Sequence, residues 1–100
     1  MILRLLKMRV RPERYADWLR YTRDVGFPGM LAQPGCRSIR RLRGVADRED
    51  FRILTEWDSL EDLERFRASE AMRHLTASAV GLTIPPAEEM VFEVLDVPGR

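Results

Sequence analysis

His74 is the only histidine of this 100-residue chain, and so the only side chain whose ordinary pKa lies near neutrality. It could act as a general base or hydrogen-bond donor at the rim of a pocket. A boundary or surface position would explain the same residue without chemistry. On a helical wheel it flanks an apolar stripe of Met72, Leu75 and Ala79. One histidine cannot build a histidine-rich metal centre within one chain, so we predict no metal site.

Other polar groups could assist such a base. Trp57 ends an apolar run and carries an indole N–H, although packing in the core explains the same large aromatic residue. Thr55 and the pair Arg40 and Arg41 are polar positions on otherwise apolar segments. An arginine that points inward could bind a carboxylate or a phenolate. A solvated hairpin arm accounts for the same arginines without a ligand.

Aromatic residues recur near the first predicted helix. Tyr15 and Trp18 share one apolar face and Tyr21 lies nearby, so they could form the wall of a pocket for a flat aromatic ligand. They could equally belong to the core. Cys36 is the only cysteine and follows a Pro-Gly turn, with no adjacent histidine to activate it. We therefore interpret it as a small buried residue.

Composition and missing motifs exclude several classes of protein. Seventeen basic and sixteen acidic residues give a net charge of +1, which indicates neither nucleic acid nor membrane as a partner. Motifs for dinucleotide binding, P-loops, zinc proteases and serine hydrolases are absent. No apolar run approaches the roughly 18 residues of a membrane helix, and residues 1–10 do not resemble a signal peptide. We expect a cytoplasmic protein of one domain, residues 1–100.

These candidate residues must be positioned by predicted helices and strands. Pro12 starts the first helix, whose apolar face carries Tyr15, Trp18, Leu19, Thr22 and Val25, and Gly26, Pro28 and Gly29 end it. Ser59 and Ser69 can cap two later helical segments, the first with Leu60, Leu63 and Phe66 on its buried side. Gly81 and Pro85-Pro86 stop the second. The predicted strands are Ile2 to Val10, Arg37 to Arg43, Phe51 to Trp57 and Glu89 to Val97, and residues 98–100 form a loose end.

The resulting order is β-α-β-β-α-β, which predicts a ferredoxin-like α+β fold with a four-stranded antiparallel sheet. In this fold the helices cover one face of the sheet and leave the other bare. A second subunit is the usual cover for a bare apolar face. We therefore predict a homodimer that associates through its sheet faces.

Three short motifs occur in a fixed order: Pro34-Gly35-Cys36-Arg37-Ser38, then Glu56-Trp57-Asp58-Ser59, then Ser69 to His74. This order resembles the antibiotic biosynthesis monooxygenase (ABM) family, which has the dimeric α+β barrel fold. Characterised members oxidise polycyclic phenols to quinones with molecular oxygen, without metal or flavin. The resemblance implies no cofactor, His74 or a water-linked carboxylate as base, and Trp57 and Arg41 as hydrogen-bond partners. It also implies a substrate pocket with Tyr15, Trp18, Phe66 and Met72 as walls, to which we add Thr55.

The leading hypothesis is a cofactor-independent monooxygenase-like protein that acts on a small aromatic or polyketide-type compound. The alternative is a non-catalytic small-molecule-binding or stress-associated dimer of the same fold. Haem-degrading relatives have an asparagine on the first strand, and a tryptophan and a haem-binding histidine on the second main helix. Here the first strand has no asparagine, and Phe66 and Thr76 stand near the other two positions. Haem degradation is therefore disfavoured.

Overall fold

A four-stranded antiparallel sheet forms the centre of the protein, for which a computed structural model describes residues 1–95. The strands lie in the order β2-β3-β1-β4. They are β1 (Ile2–Val10), β2 (Cys36–Arg43), β3 (Phe51–Trp57) and β4 (Thr83–Glu93). The helices are α1 (Tyr15–Tyr21), α2 (Phe27–Leu31), α3 (Leu60–Arg67) and α4 (Glu70–Ser78). The predicted ferredoxin-like α+β fold is confirmed.

Strand β3 shows most clearly how sequence alternation becomes burial. Phe51, Ile53, Thr55 and Trp57 are all buried, whereas the residues between them are half-buried. Successive side chains of a strand point to opposite faces, so the buried set faces the helices. The bounds predicted for β1 and β3 are confirmed, and β2 begins one residue earlier than predicted.

The first helical region does not end at Gly26, Pro28 and Gly29 as predicted. It continues through a π-helical segment, Thr22–Gly26, into α2. Pro28 is the second residue of α2 and directly follows the π-helical segment, where the regular α-helical hydrogen-bond pattern is already interrupted. The wider π turn also rotates the following residues around the axis, so that Val25 is exposed instead of joining the apolar face.

The last strand also differs from the prediction of Glu89 to Val97. It begins at Thr83, runs through Pro85 and Pro86, and ends at Glu93. A strand can contain proline here because β4 is an edge strand, where one side of the backbone has no partner. Residues 96 and 97 of the predicted strand, and the predicted loose end at 98–100, lie outside the described residues.

Serine caps fix the starts of α3 and α4. The hydroxyl of Ser59 accepts a hydrogen bond from the Asp62 amide at 3.1 Å, and Ser69 accepts one from the Met72 amide at 3.1 Å. Both predicted caps are confirmed. Leu63 and Phe66 are buried on α3 as predicted, but Leu60 is exposed, because it stands in the first turn on the solvent side.

Two apolar clusters form the core between helices and sheet. The larger one contains Met8, Val10, Trp18, Phe51, Ile53 and Leu82. The smaller one contains Trp57, Leu63 and Phe66. The other face of the sheet carries Leu3, Leu5, Leu54, Met90 and Phe92, which we call the open face. None of the helices in the described part of the chain is long and apolar enough to cross a membrane.

Two glycines with left-handed backbone conformations offer a matched test of the turn before β2. Gly35 has φ +84° and Gly81 has φ +88°. A Cβ at Gly35 would collide with the side chain of Asp62, which also bonds Ser59, whereas a Cβ at Gly81 would meet nothing within 4 Å. We expect Gly81→Ala to lower the free energy of unfolding by about 1–2 kcal/mol, the usual penalty for this conformation.

Gly35→Ala should lower it further, because Asp62 must move and the cap of α3 is disturbed. Urea unfolding of both variants measures the difference. Equal losses would contradict the close approach at Gly35.

Candidate functional site

A cavity of about 410 Å³ lies between the helices and the sheet, where the two core clusters leave space unfilled. This volume is within the range of about 300–1,000 Å³ that is typical of small-molecule pockets. The sheet contributes Arg4, Leu6, Met8 and Ile53, and the helices contribute Trp18, Phe27, Met30, Phe66, Met72 and Leu75. Pro85 and Ala87 of β4 also line the cavity and are exposed, so it reaches the surface along the edge strand.

Three of the predicted wall residues lie in this cavity: Trp18, Phe66 and Met72. Trp18 is buried and makes an edge contact with Phe51, their ring centroids 5.4 Å apart. Tyr15 is not part of the lining. It packs against Trp18 and Phe51 at centroid distances of 6.3 and 5.5 Å and supports the wall from behind.

Trp57 and Thr55 form a closed pair beneath the wall. Trp57 is fully buried, and its indole N–H donates to the Thr55 hydroxyl at 2.9 Å. The indole also stacks on Phe66 with a centroid distance of 5.3 Å. Neither residue lines the cavity, so the structure uses the Trp57 N–H internally and presents Phe66 to the cavity instead.

Arg41 is on the helix side of β2 but outside the cavity lining. Its Nη1 donates to the Leu19 carbonyl at 3.0 Å and to the Thr22 hydroxyl at 3.1 Å. The guanidinium also lies 5.6 Å from the centre of the Phe27 ring. These contacts fix the π-helical segment, and Thr22 and Gly26 of that segment line the cavity. Arg41 thus affects the cavity only indirectly, by holding residues that line it.

His74 is exposed on α4 and does not line the cavity. Met72, Leu75 and Thr76 of the same helix do. The structure therefore does not bring His74, Trp57 and Arg41 together around one point.

Sequence reasoning missed the main polar group of the cavity, Arg4. This residue is only 4% exposed, and its Nε donates to Glu89 of β4 at 2.5 Å. Arg67 of α3 shares the same carboxylate, its Nε 3.3 Å from Oε2. Alternation along β1 could have indicated its position, because Arg4 falls on the strand face that also carries Leu6 and Met8.

The ion pairs also set the ionisation of Glu89. Partial burial alone would raise the pKa of this carboxyl, but the hydrogen bonds and positive charges of Arg4 and Arg67 outweigh it. The net result is a pKa below the ordinary value. The carboxylate therefore stays charged well into mildly acidic conditions.

Tyr21 is a second polar group of the cavity lining, and the sequence placed it only near the aromatic face of the first helix. Its phenol O–H donates to the Leu75 carbonyl at 2.7 Å, which ties the end of α1 to α4 across the cavity wall. Burial raises the pKa of this phenol, and a hydrogen bond with Ser78 partly offsets that effect. Within residues 1–95 no three His, Cys, Asp or Glu side chains are placed to hold a metal ion.

Comparison with known proteins agrees with this architecture. Residues 1–78 match the family model described as antibiotic biosynthesis monooxygenase. The chain belongs to this family. No curated protein matched the sequence.

Solved structures share the family's fold over nearly the whole chain. A candidate antibiotic biosynthesis monooxygenase from Bordetella bronchiseptica superposes with a TM-score of 0.83 at 16% identity, covering 94% of this chain and 96% of that one. Rv0793 from Mycobacterium tuberculosis gives 0.77 at 20% identity, with 98% of both chains covered. SnoaB from Streptomyces nogalater, a cofactor-independent oxygenase solved as a variant, gives 0.74 at 14% identity, covering 99% and 97%. At these identities the likeness defines the fold.

The ion pairs of Glu89 predict a specific dependence of stability on pH. A carboxyl whose pKa is lower in the folded than in the unfolded state stabilises the fold above the unfolded pKa of about 4.3. That contribution disappears as the pH falls through the folded value. We therefore expect Glu89→Gln to lower the free energy of unfolding at pH values near 7, and the gap from wild type to close in acid.

Urea unfolding of both proteins across this pH range checks the expectation. A gap that stays constant into strong acid would show that Glu89 acts by packing and not by charge.

Proposed function

We propose that this protein is a cofactor-independent monooxygenase-like enzyme that acts on a small aromatic or polyketide-type compound bound in the cavity. The cavity itself is the observation that carries the proposal. It is mainly apolar, aromatic on its helix side, and supplied with one buried guanidinium. Membership of the monooxygenase family and the fold shared with SnoaB, described as a cofactor-independent oxygenase, support it.

The reaction in this proposal is the oxidation of a phenol to a quinone by molecular oxygen. Loss of a proton makes the ring electron-rich, and the ring itself then supplies the electrons that reduce oxygen. One oxygen atom becomes the new carbonyl and the other leaves as water, so the substrate needs no external reductant. Apolar walls such as Trp18, Phe66 and Met72 would hold the rings and exclude water.

The base for this step remains a prediction. His74 stands next to the cavity wall on α4 but is exposed, so it would act through water or after a ligand draws it inward. The polar partners predicted with it, Trp57 and Arg41, are held by Thr55 and by the π-helical segment. This separation favours a second candidate, a protein of the same fold that binds the aromatic compound without turnover.

We further propose that the protein is a homodimer that associates through the open face. That face presents Leu3, Leu5, Leu54, Met90 and Phe92, and Phe92 is 48% exposed. Contiguous apolar surface of this kind marks interaction sites. Sedimentation equilibrium at micromolar concentration should give twice the monomer mass.

Leu54→Asp should shift that equilibrium to monomer, because it places a charge in the interface. Leu60→Asp is the matched control, since Leu60 is exposed on α3, away from the open face. A monomeric wild-type protein would contradict the dimer.

Oxygen uptake with anthrone and naphthol as probes tests the enzyme. Thr76 is exposed and lines the cavity, so Thr76→Phe should block its opening and lower the uptake rate by about tenfold or more. Ala77 is exposed on the same helix but does not line the cavity, so Ala77→Phe should leave the rate unchanged.

Equal rates in the two variants would remove the cavity as the site of reaction. Binding of a probe with no oxygen uptake would favour the non-catalytic candidate. An unchanged rate in His74→Ala would show that another group is the base.

A further inference from the structure

Arg4 is the one charged side chain that is buried among the described residues. It belongs to a cluster of three charges in which Arg4 and Arg67 share the carboxylate of Glu89. Two positive groups and one negative group leave this cluster with one uncompensated positive charge. Since Arg4 lines the cavity, that charge acts on whatever the cavity contains.

The hydrogen bonding of Arg4 is only partly used. Its Nε donates to Glu89, but within residues 1–95 neither terminal nitrogen donates a hydrogen bond. A guanidinium carries five N–H groups, so four of them remain for an acceptor. The described residues contain no fully buried side-chain nitrogen or oxygen without a hydrogen-bond partner, so these terminal nitrogens border accessible space and are not sealed in the core. Charge-assisted bonds to an anionic oxygen are the strongest hydrogen bonds that such donors can make.

The other polar groups of the lining offer less. The Thr22 hydroxyl donates to the Trp18 carbonyl at 2.9 Å, and the Tyr21 phenol donates to the Leu75 carbonyl. Arg4 is therefore the polar group of the lining that combines a full charge with N–H groups that have no acceptor in the described residues. The rest of the wall is mostly apolar and suits a ring system.

We propose that Arg4 anchors the ligand, and that the cavity selects a small aromatic compound bearing one anionic oxygen group, either a phenolate or a carboxylate. This inference rests on the proposed function, in which the cavity is the ligand site. The inference adds the charge of the ligand and the side chain that binds it. One uncompensated positive charge matches one negative charge on the ligand.

Binding of matched probes tests the anchor without reference to turnover. Naphthoate and naphthamide have the same ring and nearly the same shape but differ in charge. We expect wild type to bind naphthoate at least about tenfold more tightly, as a charge-assisted bond predicts. Calorimetry or quenching of tryptophan fluorescence measures both affinities.

Variants of the cluster give a graded series. Glu89→Gln raises the cluster charge by one and should tighten naphthoate binding, whereas Arg67→Met lowers it by one and should weaken it. Neither change should alter naphthamide binding. Arg4→Met should abolish the preference for naphthoate.

The Arg4 variant also leaves Glu89 with one partner fewer, which threatens folding. Arg4→Met with Glu89→Met removes the buried charge together with the carboxylate that pairs with it, and such replacements are often tolerated. The remaining charge of the cluster is that of Arg67, which does not line the cavity, so this variant should bind the two probes nearly equally. Naphthol distinguishes the two anionic sources: if the cavity prefers a phenolate, the absorption spectrum of bound naphthol should show the ionised form at a lower pH than in water.

The outcomes separate this inference from the proposed function. Naphthamide and naphthoate bound equally by wild type, with Thr76→Phe blocking both, would overturn the anchor and keep the cavity as ligand site. Binding of neither probe would overturn both. A naphthoate preference that survives in the double Met variant would place the anion elsewhere and overturn the role of Arg4.

Discussion

The structure depends most on the position of β1 between β3 and β4. A central strand must present one alternate set of side chains to the helices, and in β1 that set includes Arg4, Leu6 and Met8. The antiparallel register pairs Leu6 with Glu89, which places the glutamate diagonally beside Arg4 on the same face. The ion pair at the cavity is thus a consequence of strand pairing. A shift of β1 by one residue would turn Arg4 to the open face and away from Glu89.

The helices decide how much space remains above that strand. Because α1 continues through a π turn into α2, one continuous helical segment packs against both core clusters. The π segment contributes Thr22 and Gly26 to the cavity wall, and Arg41 holds it from the edge strand β2. A regular α-helix would place other residues on this wall. Arg41 therefore shapes the cavity although its guanidinium is not part of the lining.

Much of the fold could be predicted from local patterns, and much of the site could not. Strand β3 and the caps at Ser59 and Ser69 follow from alternation and from side-chain hydrogen bonding, which are local. The prolines led to wrong bounds for the first helical region and for β4, because the effect of a proline depends on its position within the helix or sheet. Pro28 falls in the first turn of a helix, and the prolines of β4 fall on an edge, and neither setting can be read from neighbouring residues. The partner of Arg4 lies 85 positions away, beyond any periodicity in the sequence.

The long sequence separation between Arg4 and Glu89 also explains why the sequence predicted His74 and Trp57 as site residues and not Arg4. Rare residue types are conspicuous in a sequence. A binding or catalytic site, however, needs hydrogen-bond donors or acceptors that have no partner within the protein and that a ligand can reach. Trp57 gives its N–H to Thr55, whereas Arg4 keeps two nitrogens without a partner in the described chain. An ion pair that contains a buried arginine adds little stability compared with apolar packing of the same volume, and an open cavity beside it removes packing. A small domain has little stability to lose in this way. A buried guanidinium beside an unfilled cavity is therefore better explained by a bound anion than by the needs of the fold.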